Sequence, residues 1–269
     1  MDVLDALIAD FAARRALRAG PFIVTVYGDV ALPRGGAVWL GAVIEACAAV
    51  GVNESQARTA VSRLVEAGRL VGVREGRRSY YRLTEATAAE FARAAEAIHG
   101  TGETAEDAPW TLVAPQAEGR AAALDALGRL GFGVSAGLAL RPGDAVAAAL
   151  ATAPGAAAFL GRPAAPVAAL AEEAWDLAGL SAAYAAFANR FAPLEAAAGR
   201  LDGGRALAAR LLIVHDFRRI ALRDPALPAS ALPPGWKGSE ARARFGRLYA
   251  ALSVAAEAHA AERFSALAA

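Results

Sequence analysis

Hydrophobic positions recur at helical spacing through the first hundred residues, alternate over the next fifty, and return to helical spacing afterwards. Leu4, Leu7, Ile8 and Phe11 share one face of a first helix. Arg14, Arg15 and Arg18 follow, and Gly20-Pro21 stops it. Ile23, Val26, Tyr27 and Val30 predict a second helix, broken by Pro33-Arg34-Gly35-Gly36. A third runs from Trp39 to Ala49 and ends before Gly51. Asn53 and Gln56 have the spacing of a capping box, so a fourth helix is expected over Glu54 to Ala67, closed by Gly68. Its inward stripe is Ala57, Val61, Leu64 and Val65. Two extended segments, 69–74 and 77–83, flank Glu75-Gly76 as a hairpin, and Thr84 caps a fifth helix that ends near Ile98.

Residues 99–108 hold no large apolar side chain and read as a linker. Beyond them a strand (110–115), helix (120–130), strand (132–140), helix (145–152) and strand (157–160) describe a small α+β layer. From Pro166 the pattern is almost wholly helical. Its stripes are Leu180, Tyr184, Phe187, Phe191 and Leu194, then Ile213, Phe217 and Ile220, then Phe245, Leu248 and Leu252. An extended connection runs from Pro225 to Pro234, and no internal repeat is present. The expected fold class is α+β, mostly helical. The expected segments are an N-terminal helical arm (1–20), a DNA-binding domain (21–98), the linker (99–108), a central domain (109–163) and a helical C-terminal domain (164–269) serving dimerisation and effector binding.

Composition narrows the function only slightly. A chain of 269 residues with 56% hydrophobic content can bury sizeable cores in two or a few domains. Net charge is +1, so any basic surface must be local. Lys237 is the only lysine, and the arginine, alanine and glycine abundance fits a GC-rich genome. Cys47 is the sole cysteine, which rules out an internal disulfide and fits a reducing cytoplasm. His99, His215 and His259 are widely separated, no Cys/His cluster has metal-ligand spacing, and no cofactor is expected. The longest uncharged stretch, 145–161, is interrupted by Pro154-Gly155 and too short for a membrane span. The N-terminus is acidic and lacks the basic region of a secretory signal.

Three helices followed by a two-stranded hairpin is the winged helix-turn-helix plan, whose recognition helix lies in the major groove. With the apolar stripe of the fourth helix turned inward, Ser55, Gln56, Arg58, Thr59, Ser62 and Arg63 remain outside. These are hydrogen-bonding side chains, and arginine can read guanine with two bonds. Residues 53–82 hold seven arginines against three glutamates, a surplus of four positive charges in a chain of net +1. Arg74, Arg77 and Arg78 would meet phosphates from the hairpin, and Tyr80 would add a phosphate hydrogen bond. The competing reading is a winged helix used only as a protein-interaction scaffold.

On these residues the chain resembles the PaaX family of phenylacetate-degradation repressors. The resemblance lies in Tyr27-Gly28-Asp29, Pro33-Arg34-Gly35-Gly36, Trp39-Leu40, Asn53-Glu54, the run from Arg58 to Leu64, and the run from Glu75 to Thr84. It continues in the run from Val214 to Arg219, then Arg223-Asp224-Pro225, Leu227-Pro228, Leu232-Pro233 and Trp236. It implies a homodimeric bacterial repressor with a winged helix, a ferredoxin-like central domain and a helical C-terminal domain. It also implies an aromatic-acid catabolic operon and release from operator DNA by phenylacetyl-CoA or another acyl-CoA thioester. The effector residues would be His215, Arg218, Arg219 and Arg223, which partly share a helical face, with Trp175 as an aromatic wall. Arginine pairs with phosphate through a two-bond fork. A salt-bridge network with Asp216, Asp224 or Glu173 is the competing account of that cluster.

Rival chemistry is weaker. Gly133-Val134-Ser135-Ala136-Gly137 matches a nucleophile elbow, but that motif needs a strand before the serine and a helix after it. A strand, Leu138 to Leu140, is expected to follow instead, which also defeats a dinucleotide reading of Gly131-Phe132-Gly133. The central pattern also resembles metal-dependent CRISPR-associated nucleases, yet Trp110 to Gln116 has no acidic residue to hold their ions. No catalytic residue is assigned and no enzyme is expected. An acyl-CoA-processing enzyme with an accessory winged helix is the remaining alternative.

Overall fold

A computed structural model describes residues 2–14, 17–75 and 78–264. The fold is a mostly helical α+β arrangement with two small antiparallel sheets. The first hundred residues hold α1 (Val3–Ala13), α2 (Ala19–Val26), β1 (Ala37–Trp39), α3 (Leu40–Ala48), α4 (Glu54–Glu66), β2 (Leu70–Glu75), β3 (Arg78–Leu83) and α5 (Glu85–His99). The middle holds β4 (Trp110–Ala114), α6 (Arg120–Arg129), β5 (Gly133–Ser135), β6 (Leu138–Pro142), α7 (Val146–Thr152) and β7 (Ala157–Gly161). Four helices close the chain: α8 (Ala168–Ala174), α9 (Leu177–Phe191), α10 (Gly203–Ala221) and α11 (Gly238–Arg263).

The chain forms two compact units. The first comprises residues 1–100, 187–219 and 242–269, and the second 101–186 and 220–241. The C-terminal helical segment 164–269, expected as one domain, is therefore divided between them. The reason lies in the side chains: Phe187, Phe217 and Phe245 build an aromatic core in the first unit, with Phe217 and Phe245 stacked at 4.2 Å. Phe11 of α1 reaches Phe191 at 6.2 Å, and Phe22 of α2 meets the His215 ring edge-on at 5.7 Å. A helix pair with this much buried aromatic surface completes the core begun by the N-terminal helices.

Within the first unit α2 runs into a π-helical turn, Tyr27–Ala31, and a 3-10 turn, Leu32–Arg34. Gly35 and Gly36, both at positive φ, then turn the chain into β1. Strand order is β1-β3-β2, with Val38 opposite Tyr81, and Val73 opposite Tyr80. Three residues are too few to show an alternating pattern, so β1 was absent from the sequence expectation. Thr84 precedes α5 as expected, but its hydroxyl donates to the Gly68 carbonyl at 3.1 Å and does not cap the helix.

In the second unit the sheet order is β5-β6-β4-β7. One face packs Val113 and Ala139 on Leu127, Phe132, Ala149 and Ala153. The segment expected as a single strand over 132–140 is two strands joined at Ala136 (φ 50°) and Gly137 (φ 78°). Ser135 is buried and followed by a turn and a strand, so the Gly-x-Ser-x-Gly run is a hairpin and not a nucleophile elbow. The expected linker is held inside this unit: Glu106 accepts from the Ser230 amide and hydroxyl, and the Thr104 amide donates to the Ala226 carbonyl at 3.0 Å.

Candidate nucleic-acid interface

Helix α4 is fixed at both ends and on one side. The Asn53 side chain accepts from the Gln56 amide at 2.9 Å, and the Gln56 side chain accepts from the Asn53 amide at 3.1 Å. Two of the unpaired amides at the helix start are thereby satisfied. Gly51 at φ 83° makes the turn from α3, and Gly68 at φ 67° ends the helix. Ala57, Ala60 and Val61 are buried, while Leu64 and Val65 are half-buried. Ser55, Gln56, Arg58, Thr59, Ser62 and Arg63 are all exposed on the other side.

Not all of these side chains are equally at liberty. Gln56 spends its carbonyl oxygen on the cap and keeps its amide donors. Arg58 pairs with Glu54 one turn back, Nε to Oε1 at 2.8 Å, and the Ser62 hydroxyl donates to Glu66 at 3.1 Å. Surface pairs of this kind are worth a few tenths of a kcal/mol and exchange readily for a phosphate or a base edge.

The hairpin places Arg74, Arg78 and Arg82 at the surface. The Arg78 guanidinium lies 5.0 Å from the centre of the Trp39 ring, which holds the charge outward at low entropic cost. Arg77, predicted at the hairpin tip, lies outside the described residues. Tyr80, expected to offer its hydroxyl to a phosphate, is only 7% exposed and packs into the sheet opposite Trp39 and Val73. That expectation is corrected: an aromatic ring on the middle strand of a small sheet is worth more buried than at a solvated phosphate.

A family model described as PaaX-like protein matches residues 18–87, and a second, PaaX-like protein C-terminal domain, matches residues 175–262. The chain is 31% identical to the transcriptional repressor PaaX of Escherichia coli (strain K12), over 98% of this chain and 89% of that protein. The chain belongs to the PaaX family. A solved structure of the uncharacterised protein Rv0674 from Mycobacterium tuberculosis superposes with a TM-score of 0.54 at 28% identity. It covers 81% of this chain and 90% of that one.

In this PaaX-family chain the predicted effector residues do not form one cluster. His215, Arg218 and Arg219 share a face of α10 in the first unit. Arg223 falls beyond the end of α10, and both it and Trp175 belong to the second unit. His215 is buried, with Nδ1 3.0 Å from the Thr25 hydroxyl. Arg218 donates to the Pro21 carbonyl at 2.8 Å, and burial together with neighbouring Arg219 pushes its pKa down. Trp175 packs against the backbone of Gly133 and edge-on to Trp110 at 6.3 Å, a packing role in the second unit.

What the pattern missed is a partner set from other helices. Arg219 lines a cleft of about 520 Å³ with Arg14, Arg18 and Arg190, and Asp10 and Asp216 supply the acidic groups there. Arg190 donates to Asp216, and its Nε lies 3.4 Å from Asp10. Burial pushes the Asp216 pKa up, against the pull of Arg190. The arginine run after α1 was visible in the sequence, but its meeting with α9 and α10 is a long-range contact that periodicity does not encode. No group of three or more His, Cys, Asp and Glu side chains able to hold a metal occurs among the described residues, nor any helix long and apolar enough to cross a membrane.

Proposed function

We propose that this protein is a DNA-binding transcriptional repressor that acts as a homodimer in the cytoplasm. In this reading α2, α3 and α4 with the β1-β3-β2 sheet are a winged helix-turn-helix, and α4 enters the major groove. The four-stranded unit is ferredoxin-like. The regulated genes serve aromatic-acid catabolism of the phenylacetate kind, and phenylacetyl-CoA or another acyl-CoA thioester releases the protein from its operator.

The observation that carries the reading is the outer face of α4. A capped helix lays buried alanine and valine against its neighbours and presents Ser55, Thr59 and Arg63 to solvent, beside a hairpin that presents Arg74, Arg78 and Arg82. Hydrogen-bonding groups on a rigid helix suit base edges, and flanking arginines suit phosphates. The Escherichia coli relative is named a repressor, which supports the direction of control.

The test is fluorescence anisotropy of the full chain on its own promoter DNA and on random DNA of equal length, over a salt series. The reading requires tighter binding to the promoter DNA and a salt-dependent component on both. Equal, weak binding to both would leave the scaffold reading in its place. The inducer is tested by adding phenylacetyl-CoA to the promoter complex, where release is expected and unchanged affinity would remove it.

A further inference from the structure

The arginine-lined cleft has no role in the reading of DNA, yet it lies against the segment that borders α4. Its volume, about 520 Å³, is in the range of small-ligand sites. Arg14, Arg18, Arg190 and Arg219 face two carboxylates, Asp10 and Asp216, so two positive charges are in surplus. Arg190 forms the floor: its side chain is 18% exposed, it pairs with Asp216, and it lies 5.7 Å from the centre of the Phe11 ring. Arg14, Arg18 and Arg219 stand exposed around that floor. A concave wall of guanidinium groups on separate elements, with a buried one at its base, fits a compact anion with several oxygens. A DNA backbone would need a convex or grooved track instead.

The same segment has a second side. A neighbouring cleft of about 530 Å³ is lined by Arg18 to Pro21 on one wall and by Ser55, Gln56, Thr59 and Arg63 of α4 on the other. Arg18 and Pro21 line both clefts. Arg218, adjacent to Arg219 on α10, holds the Pro21 carbonyl at 2.8 Å.

We propose that the cleft between α1, the end of α9 and α10 binds a small molecule carrying a pyrophosphate or phosphomonoester group, and that its occupancy weakens DNA binding by α4 through the shared wall Arg18–Pro21. The bound anion takes up the charge of Arg18 and adds negative charge beside the face that meets DNA phosphates. By linkage, DNA weakens anion binding by the same factor. The coupling rests on the reading of α4 as the DNA reader; the anion site does not.

The experiment uses the full chain and inorganic pyrophosphate, with titration calorimetry at constant ionic strength. Saturable binding at one site per chain is expected. Arg18→Ala and Arg219→Ala, both at exposed positions, are each expected to weaken it about tenfold or more, the scale of a lost charge-assisted hydrogen bond. Arg129→Ala, an exposed arginine of the other unit, is expected to leave it unchanged. Saturating pyrophosphate is expected to raise the dissociation constant for promoter DNA, while chloride at equal ionic strength does not. Absence of saturable binding, or an equal loss in Arg129→Ala, overturns the site. Loss of DNA affinity in Arg219→Ala with pyrophosphate binding intact also overturns it, in favour of a DNA phosphate contact. Pyrophosphate binding without any effect on intact DNA binding overturns the coupling. Pyrophosphate binding in a protein that binds no DNA leaves the site standing and removes the proposed function.

Discussion

Arg210 of α10 and Asp29 of the π-helical turn form an ion pair, Nε to Oδ2 at 2.9 Å, with side chains 0% and 1% exposed. The pair is not isolated. The Tyr249 hydroxyl donates to Asp29 at 3.0 Å, and Arg210 donates to Glu257 at 2.5 Å. Glu257 also accepts from Arg34, just before β1. Burial pushes the Asp29 pKa up in spite of Arg210, and neighbouring arginines hold Glu257 down against partial burial.

Removing one partner of such a pair leaves a buried charge without compensation. Arg210→Ala is expected to cost about 3–5 kcal/mol. The double variant Arg210→Met with Asp29→Asn is expected to cost clearly less than the sum of the two single changes. Urea denaturation of the four proteins measures both. Additive losses would mean that the two side chains do not stabilise one another.

The α4 face and the hairpin are expected to divide the work of recognition. Arg63→Ala removes a side chain placed over the groove, so the gap between promoter and random DNA is expected to shrink by about 1–3 kcal/mol. Arg78→Ala removes a charge held out on Trp39, so affinity for both DNAs falls together and the salt slope drops by about one unit. Anisotropy across a salt series separates the two, and the reverse pattern would exchange the roles of helix and hairpin.

Much of this site was legible before the structure. The capping spacing of Asn53 and Gln56, the breaks at Gly51 and Gly68, and the outward polar set on α4 are local signals, and each is where it was expected. Local signals also gave β2, β3 and α5 to within a residue or two. What failed was non-local. Tyr80 looks polar and exposed in a six-residue strand, but β1 covers that strand and buries it. His215 and Arg218 look like a ligand face along α10, yet Thr25 and Pro21, nearly two hundred residues earlier, occupy them. Helical spacing says which residues share a face and nothing about what that face meets.

Gly133 in β5 has a packing reason to be glycine. A Cβ there would stand 2.5 Å from Trp175 Cε2 and 2.7 Å from Cδ2, inside any tolerable contact. Gly133→Ala is expected to push the indole out of its seat and cost about 1–3 kcal/mol, the usual scale for overpacking. Tryptophan fluorescence should shift to the red as the ring gains solvent. A variant with unchanged stability and emission would show that the ring relaxes freely.

Cys47 in α3 is fully buried, and burial pushes its thiol pKa up to about 12. The native state holds the thiol proton more tightly than the unfolded chain, whose cysteine titrates near about 8.5. Its contribution is therefore fully present below about pH 8.5 and declines as pH rises towards 12, by up to about 1.4 kcal/mol per pH unit. Urea denaturation at pH 8, 9 and 10 is expected to show a shallower decline for Cys47→Ala than for the parent. Parallel declines would mean that the thiol does not contribute. Alkylation by iodoacetamide at pH 8 is expected to follow global unfolding.

The two compact units are threaded through one another in sequence: the chain leaves the first at residue 100, re-enters at 187, leaves at 219 and returns at 242. During synthesis, the helices and hairpin proposed to read DNA emerge long before the aromatic residues of α9, α10 and α11 that finish their core. Asp29 is made more than a hundred residues ahead of Arg210, and must wait for it in the meantime. A nascent chain of that kind carries unfinished apolar surface for much of its translation and closes late, through contacts of long sequence separation. Truncation after α5 would release the same unfinished state permanently, so regulator and reader cannot be parted with scissors.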